Sequence, residues 1–437
     1  MKVLVIGGGG REHALCWALG RNPEVGAVYC APGNAGISRE FSCVNIAADD
    51  MDGLAKWAAR EGIDLTVPGP EAPLVAGLAD RFSREGLRVF GPRREAAMLE
   101  GSKHFAKEIM GEAGVPTARF EVFDDPARAR AYISKQGRPL VVKADGLAAG
   151  KGVVVCATEA EASHAVEEIM EIKAFGDAGR RVIVEEFLEG EEATVMAFCD
   201  GDYAALMQPV QDHKRAYDGD NGPNTGGMGA YSPVPAVGSE ILDIVSNRVI
   251  SPVLGAMLKR GIRYSGVLYA GLMLTRNGPF VLEFNARFGD PETQVVLPRL
   301  ETSIADIMLA ATTGELPRRR IEWSRRASVC VVIASGGYPV AYEKGIPIRG
   351  LDEAAREPGV VVFHAGTSAG PGGSIVTSGG RVLGITATGE SIADARDAAY
   401  RGVSRIQFDG AFHRSDIGLR AVKAAGRAAT RPGGGVG

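Results

Sequence analysis

Glu283, Asn285 and Arg287 recur at every second position of Val281-Leu282-Glu283-Phe284-Asn285-Ala286-Arg287, and an extended chain turns residues at that spacing to one face. Carboxylate and amide oxygens so placed suit a hard cation such as magnesium. Arg287, one step further, can clamp phosphate oxygens that such an ion bridges. Leu282, Phe284 and Ala286 are expected on the opposite, core-facing side. The same alternation also describes a half-buried strand whose polar face meets water, so other segments must decide.

Leu140-Val141-Val142-Lys143-Ala144-Asp145-Gly146-Leu147-Ala148-Ala149-Gly150-Lys151-Gly152-Val153 resembles a P-loop, but Gly152 stands where Ser or Thr is needed, and a strand follows it. The segment reads as a glycine-rich hairpin, with Gly150, Lys151 and Gly152 in a flap over phosphates and Lys143 neutralising them from the strand end. An ordinary mobile hairpin fits as well. Val182-Ile183-Val184-Glu185-Glu186-Phe187-Leu188-Glu189-Gly190-Glu191-Glu192 ends a strand at a lobe junction. Backbone amides near Glu186, Phe187 and Leu188 suit an adenine there and Glu192 suits ribose hydroxyls, although acidic clusters are commonly solvated turns. The polar stretch 208–233 holds Asp212, Lys214, Arg215, Asn224 and Thr225 among glycines and two tyrosines. A loop of that length in a compact domain is functional or disordered, and its tyrosines, Met228 and close glycines favour a defined substrate loop.

These groups need elements to hold them. Apolar runs at 2–6, 27–30, 65–67 and 88–90 alternate with helical patterns at 11–19, 51–60 and 74–84, which predicts a small doubly wound parallel sheet. Its first turn fails the dinucleotide fingerprint, because Glu12 or His13 occupies the third glycine position. This weakens an oxidoreductase reading. Gly9 and Gly10 still open a helix, where amides and the dipole favour an anion such as a substrate phosphate. The expected fold class is α/β and α+β multidomain. Residues 1–101 form the N-terminal sheet domain, 102–325 a two-lobed unit (flap lobe about 123–193, catalytic lobe about 194–325), 326–422 a small α+β domain without a ligand constellation, and 423–437 a disordered tail.

With 437 residues, 45% of them hydrophobic, the chain has material for roughly three domains. Neither a signal peptide nor a membrane span is expected, which places it in the cytosol. Six scattered cysteines without a C-x-x-C pair disfavour disulfides and structural zinc. A formal charge of -4 disfavours nucleic acid as the main ligand.

In order along the chain, Gly-Gly-Arg11-Glu12-His13-Ala14, Ala31-Pro32-Gly33-Asn34-Ala35-Gly36, Gly69-Pro70-Glu71-Ala72-Pro73-Leu74, the hairpin from Lys143, Gln211-Asp212-His213-Lys214-Arg215, the 222–229 glycine stretch, Arg287-Phe288-Gly289-Asp290-Pro291-Glu292-Thr293 and His364-Ala365-Gly366-Thr367 are similar to the glycinamide ribonucleotide synthetase family of the ATP-grasp superfamily. The resemblance implies a central ATP-grasp domain and an ADP-forming ligase using ATP, glycine and 5-phosphoribosylamine, with magnesium or manganese at Glu283 and Asn285. It implies phosphate neutralisation by Lys103, Lys143 and Arg287, adenine at Glu185, Glu186, Phe187 and Leu188, and ribose at Glu192. Arg287, Lys143 and Asp212 are the catalytic candidates. Gly9, Gly10, Asp212, Lys214, Arg215, Asn224, Thr225, Asp290 and Glu292 are the substrate candidates. A monomer is expected. The strand at 267–275 lacks the additional metal acid of many superfamily members, and Gly8 stands where the family often has Ser. The alternatives are another ATP-grasp carboxylate-amine ligase and a non-catalytic nucleotide-binding regulator.

Overall fold

The computed structural model describes residues 1–137, 139–148, 151–318 and 320–429. Lys2–Gly7 lies between Ala27–Pro32 and Leu65–Pro68 in a parallel sheet, with Ser42–Cys43 at one edge. Val3, Leu4, Val5 and Ile6 are all buried because helices cover both faces, which explains their unbroken apolar run. The strand expected at 88–90 reduces to one parallel bridge between Thr66 and Val89. The helix expected over 74–84 is two, Glu71–Ala76 and Leu78–Arg84, because Gly77 takes a φ of 98° that only glycine adopts without strain.

Ser102 opens the helix Lys103–Ala113 by accepting from the Phe105 amide. The flap lobe follows as an antiparallel sheet ordered Phe120–Phe123, Val182–Glu186, Leu140–Ala144, Val153–Cys156. Helices Pro126–Ile133 and Glu159–Val166 pack on it through Ala129, Ile133, Ala162 and Val166. The catalytic lobe is a second antiparallel sheet, ordered Tyr203–Leu206, Glu191–Asp200, Ser265–Thr275, Gly278–Asn285. The helical run Ser239–Lys259 is long and apolar enough to cross a membrane, but its Val245, Val249, Ile250, Val253, Leu254 and Met257 are buried in the core beside this sheet.

The third large sheet crosses the expected boundary near 325. Its order is Gln211–Asp212, Gly229–Ser232, Ala327–Ala334, Arg381–Gly389, Val360–His364. The two strands that flank the polar loop therefore belong to the C-terminal sheet. Between them Arg215–Tyr217 and Asn221–Asn224 form a hairpin, held by Arg414, Ser415 and Asp416 of the C-terminal segment. A last helix, Leu419–Ala429, occupies the start of the expected disordered tail; the remainder of that tail lies outside the described residues.

Candidate active site

The Gly278–Asn285 strand carries a bulge: Gly271 pairs with Glu283 and Leu272 with Val281, which leaves Leu282 unpaired. Val281 and Phe284 therefore share one core, and Leu282, expected in that core, is only half-buried. The freed Leu282 carbonyl accepts from Lys143 Nζ at 3.0 Å. Lys103 is close enough to feel the same charges; burial lowers its pKa and Glu283 resists the shift. Burial also opposes ionisation of Glu283, but Lys214, Lys143, Lys103 and Arg287 outweigh it and hold the carboxyl below its usual range. The fold thus gathers three lysines from separate segments around one ionised Glu.

The Glu185 side chain, expected near an adenine, is held by two lysines. Its carboxylate is buried between Lys143 Nζ at 2.9 Å, from the neighbouring strand, and Lys107 Nζ at 3.1 Å, from the helix Lys103–Ala113. Glu186 pairs with Arg119 through Nη2 at 2.8 Å, and its amide donates to the Arg119 carbonyl. Phe187, which is exposed, and Leu188 lie in the linker to Glu191–Asp200, where the two lobes join. Glu192 meets Lys214 Nζ at 2.7 Å.

On the opposite side Asp212 ends its short strand near Lys214, Glu192 and Glu292. Burial, aided by the two glutamates and opposed by Lys214, pushes its carboxyl up to about 7. Burial disfavours charge on Lys214, yet Glu192 and Asp212 keep its pKa well above the ordinary value. The buried Glu292 accepts from Tyr269 Oη at 2.9 Å, and Thr194 Oγ1 donates to the same phenol oxygen at 2.9 Å. Asp290 accepts from Gln294 Nε2 at 2.7 Å and faces Arg381 Nη2 at 3.3 Å. Burial raises the Asp290 pKa, but Arg381, Arg11 and Gln294 reverse the shift.

The remaining expected residues make the following contacts. The Gly9 amide donates to Glu12 Oε2 at 2.5 Å, so a carboxylate of the same helix answers the turn proposed for a substrate phosphate. Gly10 faces Gln294 and Asp290, since an added Cβ would lie 2.6 Å from Gln294 Nε2. Arg287 Nε meets Glu71 at 3.1 Å, Nη2 meets Glu100 at 2.9 Å, and Nη1 donates to the Phe288 carbonyl at 3.1 Å. Lying just past the strand end, it reaches the N-terminal carboxylates first, and they keep its charge despite burial. Arg215 donates to the Gly222 carbonyl at 2.8 Å within the hairpin, where Asn224 pairs opposite it, and Thr225 Oγ1 donates to the Lys214 carbonyl. Lys151 is exposed, 3.4 Å from the Pro339 carbonyl. Gly152 is buried with its carbonyl bonded to the Ala144 amide, and Gly150 lies outside the described residues.

Sequence reasoning missed Tyr269, Gln294 and Arg381. Arg381 Nη1 donates to the Asp290 carbonyl at 2.7 Å and to the Gly226 carbonyl at 2.5 Å, joining the C-terminal domain to both acceptor-side loops. Tyr338 adds its phenol oxygen, which accepts from the Gly226 amide at 3.0 Å. No spacing within the 326–422 region signals these contacts.

A flap sheet and a catalytic sheet joined by a short linker, with lysines and an ionised Glu between them and a parallel-sheet domain in front, define an ATP-grasp enzyme. The chain belongs to the phosphoribosylglycinamide synthetase family: the models of its N domain, ATP-grasp (A) domain and C domain match residues 1–100, 101–293 and 328–420. It is 51% identical to the phosphoribosylamine–glycine ligase of Xanthomonas axonopodis pv. citri, over 97% of this chain and 98% of that protein. The crystal structure of the phosphoribosylamine–glycine ligase from Thermotoga maritima is similar with a TM-score of 0.83 at 36% identity, covering 95% of this chain and 100% of that one. The biotin carboxylase domain of 2-oxoglutarate carboxylase from Hydrogenobacter thermophilus shares the fold, with a TM-score of 0.73 at 17% identity over 94% of this chain and 91% of that one.

Proposed function

We propose that this chain joins glycine to 5-phosphoribosylamine at the expense of ATP, releasing glycinamide ribonucleotide, ADP and phosphate in purine biosynthesis. The observation that carries the reading is the meeting of two charge sets: Lys103, Lys143 and Glu283 on one side, Asp212 and Glu292 on the other, with Lys214 facing both Glu283 and Asp212. A glycine carboxylate oxygen attacks the γ-phosphorus and the bond to the ADP oxygen breaks, giving glycyl phosphate. The amine nitrogen then attacks the acyl carbon and phosphate leaves.

Two anions must approach in the first step, so positioning and charge neutralisation dominate. Lys103 and Lys143 neutralise the triphosphate, with adenine near Phe187 and Leu188. Lys214 faces the glycine carboxylate, and Glu292 and Asp290 face amino groups. Asp212, with its carboxyl near neutrality, accepts the proton that the attacking amine loses. Arg287 keeps the acceptor loop against the N-terminal domain through Glu71 and Glu100.

Glu283 and Asn285 supply hard oxygen donors, and among the described residues no group of three His, Cys, Asp or Glu side chains collects for a metal. This donor set fits magnesium or manganese held mainly by nucleotide phosphates and water. Such an ion, when bound, supplies further neutralisation of the triphosphate. The reading places the chain in the cytosol as a monomer.

The test is ADP release from purified protein supplied with ATP, magnesium, glycine and phosphoribosylamine, each omitted in turn. Release is expected only with the full set. ADP formation indifferent to glycine would sink the assignment.

A further inference from the structure

Lys107 lies one helical turn beyond Lys103 on the helix Lys103–Ala113, and burial there is nearly complete: Lys107 and Glu185 are each 2% exposed. Lys107 Nζ donates to Thr117 Oγ1 at 2.7 Å, stands 3.1 Å from Glu185 Oε1 and lies 5.1 Å from the Phe120 ring centre. The other oxygen of the same carboxylate faces Lys143 Nζ at 2.9 Å, and Lys143 also donates to the Leu282 carbonyl. One carboxylate therefore serves two ammonium groups, leaving one net positive charge in the triad. Thr117 passes the contact on by donating to the Val281 carbonyl at 2.7 Å, so the triad is tied to the bulged strand that carries Glu283.

A buried carboxylate with a single cationic partner holds that partner strongly, because losing it leaves an uncompensated charge away from water. With Lys143 alone, Glu185 would keep the ammonium from an incoming triphosphate. With Lys107 in place, Glu185 stays neutralised when Lys143 turns toward phosphate oxygens.

We propose that Lys107 is a positioning residue for ATP binding: it answers the charge of Glu185 so that Lys143 is available to the nucleotide, which Lys107 itself does not touch. This rests on the reading of Lys143 as a triphosphate residue. Burial, with the neighbouring Lys143, lowers the Lys107 pKa to about 8, and Glu185 opposes the shift.

The experiment is steady-state kinetics of the full chain with ATP varied, on Lys107→Met, Glu185→Gln, the double variant and Lys143→Met. Thermal unfolding of each checks that it is folded. Lys107→Met reduces the net charge of the triad to zero and is expected to raise KM for ATP about tenfold with kcat within about threefold. The double variant restores one net positive charge and is expected to bring KM back to within about threefold of the parent. A purely structural Lys107 gives the reverse, since removing both partners of a packed pair does not repair a packing defect. Lys107→Gln, which keeps a donor toward Thr117, carries the same comparison should the Met variant be unfolded. An unchanged KM in the folded Lys107 variants, or a double variant no better than the single, overturns the proposal. If Lys143→Met leaves KM for ATP unchanged, the reading of Lys143 falls, and this proposal falls with it. If Lys143→Met raises KM and Lys107→Met does not, only the role of Lys107 is lost.

Discussion

The two sides of the cleft are built differently. On the nucleotide side, Lys103, Lys143, Glu185 and Glu283 come from one central domain, on regular elements whose backbone pairings fix each side chain. On the acceptor side, Arg11, Asp290, Glu292 and Arg381 come from three domains and meet at or near the ends of separate elements, with Asp212 on a two-residue strand that belongs to the C-terminal sheet. Activating a carboxylate with ATP needs concentrated positive charge, which one rigid domain can hold. Selecting one amine needs several directions of approach, which only an assembly of domains provides.

If this division holds, changes on each side separate kinetically. The largest effect is expected for Glu283→Ala, since it removes the anion that four cations surround. Turnover at limiting magnesium should fall by about 10²- to 10³-fold, and full activity there would break the nucleotide-side assignment. Asp212→Asn comes next, with kcat expected to fall about 10²-fold. Its carboxyl accepts a proton only when ionised, so parent turnover should rise as pH increases through about 7, and that limb should vanish in the variant. A limb that survives the substitution belongs to another group.

Arg381→Ala sharpens the comparison because it lies far outside the ATP-grasp sequence region. KM for phosphoribosylamine is expected to rise about tenfold, by loss of a charge-assisted anchor on Asp290 and Gly226, with KM for ATP within about twofold. Equal increases in both constants would mean that the two sides are not separable. The smallest change is expected for Lys151→Ala, whose exposed ammonium reaches only the Pro339 carbonyl. KM for ATP should move by less than about threefold, since an exposed flexible lysine contributes little; a tenfold rise would place it on the phosphates after all.

Much of the nucleotide side was legible from the residues. The alternation through Glu283 and the strand end at Lys143 depend on local sequence, and local periodicity sets which face a side chain takes. The bulge at Leu282 was not, because it arises from pairing with the Ser265–Thr275 strand, whose register is invisible within the segment itself. Arg287 lies beyond the end of the pairing, and its partners Glu71 and Glu100 come from segments that the strand pattern does not show. The acceptor side was harder still: a two-residue strand has no measurable period, and Arg381 shows its partner only after folding.

The sequence alone pointed to the class of chemistry through its ordered motifs, whose resemblance to one family implied an ATP-dependent ligase, although each segment by itself fitted an ordinary structural role. It also determined the order of units along the chain, because apolar periodicity is local. The tertiary structure decided which charges face one another: that Glu185 answers two lysines, that Arg287 is held by Glu71 and Glu100, and that the C-terminal sheet carries Asp212. Coulomb interactions depend on distance in space, and the chain positions of these partners do not encode it.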